Sequence, residues 1–369
     1  HSEDKTRLIL MLSNCNMFVT PNSHFCVVKI KQAINMRKIL LSVMLTLAIP
    51  TLTFAKEKKE EKKGSAIITI YSDLHSGFGT VNNDRGFNLD RAYIGYQYKL
   101  PHNLLIKAVM DFDQSDDVED IQRVGFIKNA MVSWKHEGLT LNGGLINTTQ
   151  FKTQEDFWGK RYVMKSFQDE YKFGSSADLA VSAAYKFCDI FSADVIVANG
   201  EGYKKVQVDD GLQYGAGLTL TPVKGFMVRA YGSYNEAGQS IKDAAQNKDD
   251  VKGTTNLAFF AGYKNSAFSL GAEYNWMKNT KFANGNDKSG ASVYTTINLT
   301  KKINIYGRWD YLKSKDSWDS AKDGMAGMAG VEFKLGKYVK LSPNFRIWAP
   351  KADGTKNLTY AYLNVSFAL

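Results

Sequence analysis

The sequence predicts an all-β fold, namely a transmembrane antiparallel β-barrel of about 16 strands with a long third loop folded into its lumen. Apolar residues recur at every second position over most of residues 65–369, which is the period of a strand with one apolar face. The connections between these stretches alternate in length along the chain. The mean hydropathy is −0.30, and no uncharged apolar run approaches the length of a membrane-spanning helix.

The N-terminal region has the layout of an export signal. Met36-Arg37-Lys38 supplies a basic start, residues 39–49 supply an apolar core, and Ala55 is a small residue before a cleavage point. We therefore expect an upstream, non-native segment at 1–35, a cleavable signal peptide at 36–55 and a charged, disordered lead at 56–64. The predicted barrel then occupies 65–369.

The strands are predicted from alternation. Apolar sets such as Phe226, Val228, Ala230, Gly232 and Tyr234 are separated by residues that include Arg229 and Ser233. Each strand therefore has one apolar face, suited to lipid, and one polar face, suited to water. Tyrosine, phenylalanine and tryptophan cluster near strand ends, where aromatic rings favour the headgroup level of a membrane.

The connections predict the strand count and the topology. Seven short turns, near residues 102, 137, 189, 223, 265, 301 and 337, alternate with eight longer polar stretches. Fifteen connections imply sixteen strands, and the segregation of short turns from long loops is typical of a bacterial outer-membrane barrel. A soluble sandwich has no reason to separate its loop lengths in this way.

Several other classes of function are not expected. The net charge of +10 is spread among acidic residues without a basic face, so we expect no nucleic-acid partner. His75, His102 and His136 are too far apart in sequence to suggest a metal cluster, and no phosphate-binding or nucleophile motif occurs, so we expect no enzyme, cofactor or metal. The acidic second loop, near 113–124, is compatible with a divalent ion but is better explained as a solvated loop.

The third long loop, residues 149–178, carries the candidate site. It combines aromatic residues such as Phe157, Trp158 and Phe167 with several cations. A barrel of this size has a lumen wide enough for water, so a loop with its own apolar residues can fold inward and narrow the channel. We expect the constriction or solute-binding residues to be Lys152, Lys160, Arg161 and Lys165. The alternative is an exposed hairpin above the membrane.

The signal peptide, the sixteen-strand wall, the long third loop and the stretch SFQDEYKFGSSADLAV entering the sixth strand resemble the general porins. More narrowly, they are similar to the phosphate-selective porin O and P family of Gram-negative bacteria. The resemblance implies a homotrimer, a constriction formed by the third loop, and an arginine ladder that draws anions inward. Carried over to this sequence, the rungs are Arg91, Arg229, Arg308 and Arg346.

Strand parity places Lys107 with those four arginines on the lumen wall and gives ten inward cations against six inward carboxylates. A modest excess of one sign biases the passage of ions through a pore. We therefore predict an outer-membrane channel for passive diffusion of small hydrophilic solutes, weakly anion-preferring, with phosphate or other oxyanions among its solutes. Its other partners would be outer-membrane lipid and lipopolysaccharide. The alternative is a non-conducting outer-membrane barrel acting as an adhesin or a structural or assembly protein.

Overall fold

A computed structural model describes residues 63–79, 82–114, 123–205 and 210–369. The predicted upstream segment, the signal peptide and most of the charged lead lie outside these residues, as do residues 115–122 of the acidic second loop. Within the described residues no helix combines the length and the apolar character needed to cross a membrane.

Sixteen antiparallel strands form the fold, as the sequence predicts. Their bounds are β1 Lys63–Phe78, β2 Arg85–Leu100, β3 Leu104–Gln114, β4 Arg123–His136, β5 Leu139–Asn147, β6 Ala177–Lys186, β7 Phe191–Ala198, β8 Gln213–Leu220, β9 Phe226–Asn235, β10 Thr254–Lys264, β11 Phe268–Lys278, β12 Lys288–Asn298, β13 Ile303–Ser314, β14 Gly324–Leu335, β15 Val339–Pro350 and β16 Leu358–Ala368.

The barrel is closed by pairing of the first strand with the last. Each strand pairs with its neighbours in sequence, and β1 pairs with β16 in a register that sets Thr69 opposite Ala368. Closure leaves no strand edge with unpaired backbone groups, which is the condition for a sheet to lie in a membrane.

The connections divide by length as predicted. The short turns lie at 101–103, 137–138, 187–190, 221–225, 265–267, 299–302 and 336–338. In the tightest of them, Glu137 and Gly138 both have positive φ, which is the conformation that two-residue hairpin turns require. The long loops carry the helices α1 Thr149–Trp158, α2 Phe167–Glu170 and α3 Gln239–Ala244, and 3₁₀ turns at Lys248–Asp250, Thr280–Phe282 and Lys315–Ser317.

Side chains alternate between the two faces of the wall. On β13, Asn304, Tyr306 and Arg308 are buried, whereas Ile305 and Trp309, at alternate positions, are 37% and 44% exposed. The same alternation on the other strands gives an apolar outer face and a polar inner face. Exposed large apolar side chains therefore cover the outside of the barrel, opposite to the usual arrangement of a water-soluble protein.

Two β-bulges interrupt this alternation. The register shifts opposite Tyr71 and Ser72, where Asp90 is the extra residue of β2, and opposite Val109 and Met110, where Lys128 is the extra residue of β4. A bulge turns two successive side chains toward the same face. It places Asp90 beside Arg91, and Lys128 beside Asn129, on the inner side of the wall.

Candidate functional site

The connection from β5 to β6, residues 148–176, is anchored at its base. Thr148 Oγ1 donates a 2.7 Å hydrogen bond to the carbonyl of Ser175, and the amide of Thr148 donates to Ser176. Helix α1 follows and ends at Gly159, whose φ of 65° is the left-handed conformation common at helix C-termini. The two ends of the segment, where it leaves β5 and enters β6, are therefore hydrogen-bonded to each other.

Aromatic side chains of the 148–176 segment pack on inward-facing residues of the wall. The Phe157 ring lies 5.0 Å from Phe260, and the Trp158 ring lies 5.2 Å from Tyr294. Phe167 and Phe173 are fully buried and pack with Met277 and Leu312. Burial of these rings stabilises the segment against the wall of β10 to β14.

Cations of the wall bind backbone carbonyls of the same segment. Arg308 donates to the Lys165 carbonyl at 2.6 Å, and Arg346 donates to the Val163 carbonyl at 2.7 Å. Arg229 donates to the Thr149 carbonyl at 2.9 Å, and Lys288 Nζ donates to the Tyr171 carbonyl at 2.7 Å. Because a buried carbonyl needs a hydrogen-bond donor, these side chains allow irregular backbone to lie against the wall.

The predicted wall arginines also bind carboxylates. Arg308 and Asp310 form a buried ion pair at 2.7 Å, and Arg229 pairs with Asp194 at 2.6 Å. Arg91 contacts Asp111 at 3.3 Å and Asp113 at 2.5 Å. Arg346 instead donates to Asn364 and lies over the Tyr362 ring. All four arginines and Lys107 lie on inward faces of the wall. The four guanidinium groups, however, already interact with carboxylate, amide or aromatic side chains of the protein.

The connection from β7 to β8 also reaches the wall of β3 and β4. Tyr203 donates from its hydroxyl to Asp111 at 2.6 Å, and Lys204 pairs with Asp113. Lys128 Nζ lies 4.4 Å from the centre of the Tyr203 ring. This cluster was not predictable from the sequence, because Lys128 faces inward only through the bulge in β4 and Tyr203 belongs to no recognisable motif.

The predicted constriction residues are not equally accessible. Lys152 and Lys165 are exposed, and Lys152 pairs with Asp156 within α1. Lys160, expected to face passing solutes, is only 5% exposed, because the Tyr306 ring lies 5.1 Å from its Nζ and Glu332 is close by. Burial lowers the pKa of Lys160 to about 8, even though Glu332 acts in the opposite direction.

Arg161 is also more enclosed than expected. Its guanidinium contacts Asp169 at 2.5 Å and Glu155 at 3.4 Å, and it lies 3.4 Å from the Tyr93 hydroxyl. Burial acts to raise the pKa of Asp169, but Arg161 together with the nearby cations Lys165, Lys128 and Arg91 outweighs burial and holds that pKa below its ordinary value. The charge of Arg161 is therefore largely balanced within the 148–176 segment.

Open space remains between this segment and the wall formed by β13 to β16 and β1 to β4. A cavity of about 660 Å³ lies on the long-loop side and is lined by His75, Asp113 and Trp348 among others. A second cavity of about 190 Å³ lies toward the short turns and is lined by Ile67, Lys107 and Lys128 among others. Tyr71 and Arg161 line both cavities. The two spaces therefore approach each other at this pair of side chains.

Comparison with known proteins shows what this fold is similar to. No protein-family model and no curated protein sequence matches the chain. Among solved structures, OmpF of Salmonella typhi has a TM-score of 0.66 at 12% identity, covering 84% of this chain and 98% of its own. The chain has the porin fold.

Two further structures agree with this likeness. OprB of Pseudomonas putida has a TM-score of 0.65 at 12% identity, covering 83% of this chain and 94% of its own. The anion-selective porin of Comamonas acidovorans has a TM-score of 0.60 at 11% identity, covering 84% and 100%. None of the three likenesses singles out the phosphate-selective porin O and P family, so that narrower membership stays a prediction.

Proposed function

We propose that this protein is an outer-membrane channel for the passive diffusion of small hydrophilic solutes. One observation carries the proposal: the closed barrel holds open space on both sides of the 148–176 segment, and the two spaces approach each other at Tyr71 and Arg161, which line both. A sixteen-strand barrel is wide enough for an aqueous lumen. Here the segment packs mainly on β9 to β15, and Arg161 also reaches Tyr93 of β2. The segment then forms the constriction, and solutes pass between it and the wall of β1 to β4.

The apolar outer face supports a location in the outer membrane. Side chains such as Ile94, Phe259 and Leu270 are about half exposed on the outside of the wall, where lipid and lipopolysaccharide would cover them. Export through cleavage after Ala55 belongs to this proposal, and N-terminal sequencing of protein from outer membranes tests it. Assembly as a homotrimer is supported by the resemblance to general porins, and native mass measurement in detergent tests it.

A weak preference for anions, including phosphate or other oxyanions, is also proposed. The smaller cavity is lined by Lys107, Lys128, Lys152 and Arg161 against Glu155. In the larger cavity the cations and carboxylates are equal in number, namely Arg91, Arg161, Lys165, Arg308, Lys322 and Arg346 against Asp73, Asp84, Asp90, Asp113, Glu170 and Asp310. A positive inner stretch next to a balanced one favours anions without excluding cations.

Liposomes test both parts of the proposal. Vesicles containing the purified protein should swell in neutral sugars at rates that fall with sugar size, and the reversal potential in a salt gradient should show anion preference. Replacement of Arg161 by glutamine leaves Glu155 and Asp169 without their counter-charge and should shift the reversal potential toward cations. Lys356→Gln, which removes a cation from an exposed long loop, is the matched control. Vesicles that contain folded barrel but do not swell would favour the non-conducting alternative.

A further inference from the structure

The inner face of the barrel is not evenly charged along its axis. Within about five residues of the short-turn ends, the inward positions of strands β2 to β16 hold eight cations, namely Lys99, Lys107, Lys135, Lys186, Arg229, Lys264, Lys334 and Lys340. The same positions hold two carboxylates, Asp194 and Glu332. Asp194 is paired with Arg229, and Lys186 is paired with Asp189 of the adjoining turn, so Glu332 is left to balance six lysines.

Part of this lysine set converges below the 148–176 segment. Lys264, Lys334 and Lys340 come from β10, β14 and β15 and lie close enough to Lys160 to repel its charge. Lys340 Nζ also lies 5.8 Å from the Tyr162 ring. Glu332 accepts hydrogen bonds from Tyr162 at 2.8 Å and Asn304 at 2.9 Å, so its charge is shared with buried donors. The short-turn mouth is therefore strongly positive.

The remaining inward positions of the described strands have the opposite balance. They hold seven carboxylates, namely Asp73, Asp90, Asp111, Asp113, Asp178, Glu273 and Asp310. Against these stand five arginine and lysine side chains, namely Arg91, Lys128, Lys288, Arg308 and Arg346. His75, also in this part, contacts Asp73 at 2.7 Å. On its strands the long-loop part of the wall is thus slightly acidic, although residues of the segment and the loops bring the charges that line the larger cavity to equal numbers.

We infer that this separation of charge makes the channel a rectifier, an inference that rests on the proposed channel function. When the long-loop side is electrically positive, anions enter through the lysine-rich mouth and cations enter through the acidic part. Each ion enters where fixed charge of the opposite sign concentrates it between low-dielectric walls. Mobile ions then accumulate in the lumen and the current is high. When the long-loop side is electrically negative, each kind of ion leaves through the region that attracts it. The lumen then holds fewer mobile ions and the current is lower.

The current–voltage relation of single channels in a planar bilayer tests the inference. The orientation of each channel is read from biotin attached at Ala245→Cys on a long loop, detected by streptavidin added to one compartment. We expect roughly twofold more current with the long-loop side positive in dilute salt, because fixed charges in a narrow lumen change local ion concentrations strongly. The ratio should approach one in about 1 M salt, where the screening length falls from about 10 Å to about 3 Å.

Two sets of substitutions assign the effect to the lysines. Replacing Lys99, Lys264, Lys334 and Lys340 together by glutamine should bring the current ratio in dilute salt close to one while the channel still conducts. Replacing the same four by arginine keeps their charge and should leave the ratio unchanged. A conducting wild type with a symmetric current–voltage relation, or rectification that survives the glutamine set, would overturn the inference alone. A folded wild type that carries no current would overturn the proposed function as well.

Discussion

Lys160 is the residue at which charge and burial compete most directly. It lies on the 148–176 segment, faces Glu332 of β14, and is repelled by Lys264, Lys334 and Lys340 from the neighbouring wall. A lysine removed from water and surrounded by like charge releases its proton more readily. Its charge therefore changes in a pH range in which an ordinary lysine stays protonated.

The first prediction is a pH dependence of selectivity. Because burial lowers the pKa of Lys160 to about 8, the side chain is charged below that pH and becomes neutral as the pH rises through it. Anion preference should therefore be full near neutral pH and decline between about pH 7 and pH 9. The reversal potential in a fixed salt gradient measures this decline, and Lys160→Gln should decline less over the same window. An equal decline in both proteins would show that another group is responsible.

Individual inward residues were predicted from strand parity, and parity fails at a bulge. Counting back from Lys135 in steps of two places Lys128 on the outer face of β4, but the extra residue there turns it inward beside Asn129. The same reasoning from Arg91 misses Asp90 in β2. Bulges arise from local backbone geometry with no strong sequence signature, so the arginines of the wall were predictable from strand parity but Asp90 and Lys128 beside them were not.

At the scale of elements, the 148–176 segment is attached through its own backbone. Its carbonyls at Thr149, Val163, Lys165 and Tyr171 accept hydrogen bonds from side chains of four different strands. The aromatic content of the segment was visible in the sequence, as were the wall arginines. Their mutual contact was not, because it depends on which strands lie opposite the segment in the closed barrel.

Arg308 is expected to be the most important of these attachments. It pairs with Asp310, which is 1% exposed, and it donates to the Lys165 carbonyl. Arg308→Met leaves a buried carboxylate without its partner, a change that costs about 3–5 kcal/mol in comparable buried pairs. The variant should lower the denaturant midpoint for unfolding and speed tryptic cleavage near Lys165. Lys356→Met, on an exposed loop, should change neither, and an Arg308→Met protein that matched it would show that the attachment is not needed.

The strands themselves were predictable as elements. Period-two alternation and the contrast between short and long connections depend only on local residue types, and both are retained in the closed barrel. The helices α1 and α2 within the long connection were not predicted, since residues 149–178 were expected to form a loop without regular structure. Their short lengths and their dependence on the surrounding wall explain the difference.

At the scale of the whole molecule, each connection between strands lies at one of the two ends of the barrel. Antiparallel pairing of successive strands places all short turns at one end and all long loops at the opposite end. In a bacterial outer membrane the long loops face the exterior and the short turns face the periplasm.

Cysteine labelling of intact cells checks this orientation. In a background without other cysteines, Ala245→Cys on a long loop should react with an impermeant thiol reagent, whereas Asn265→Cys on a short turn should be protected. Both sites should react after the outer membrane is permeabilised, which controls for folding and accessibility. Labelling of Asn265→Cys alone in intact cells would reverse the topology.

The conductance of single channels tests most directly whether solutes pass between the 148–176 segment and the wall of β1 to β4. The wild-type protein in a planar bilayer should produce discrete, stable current steps. Tyr71→Trp adds bulk at a residue that lines both cavities and should reduce the step size, whereas Tyr274→Trp, on the exposed outer face, should leave it unchanged. A correctly folded and inserted wild-type barrel that gives no current steps would contradict the account.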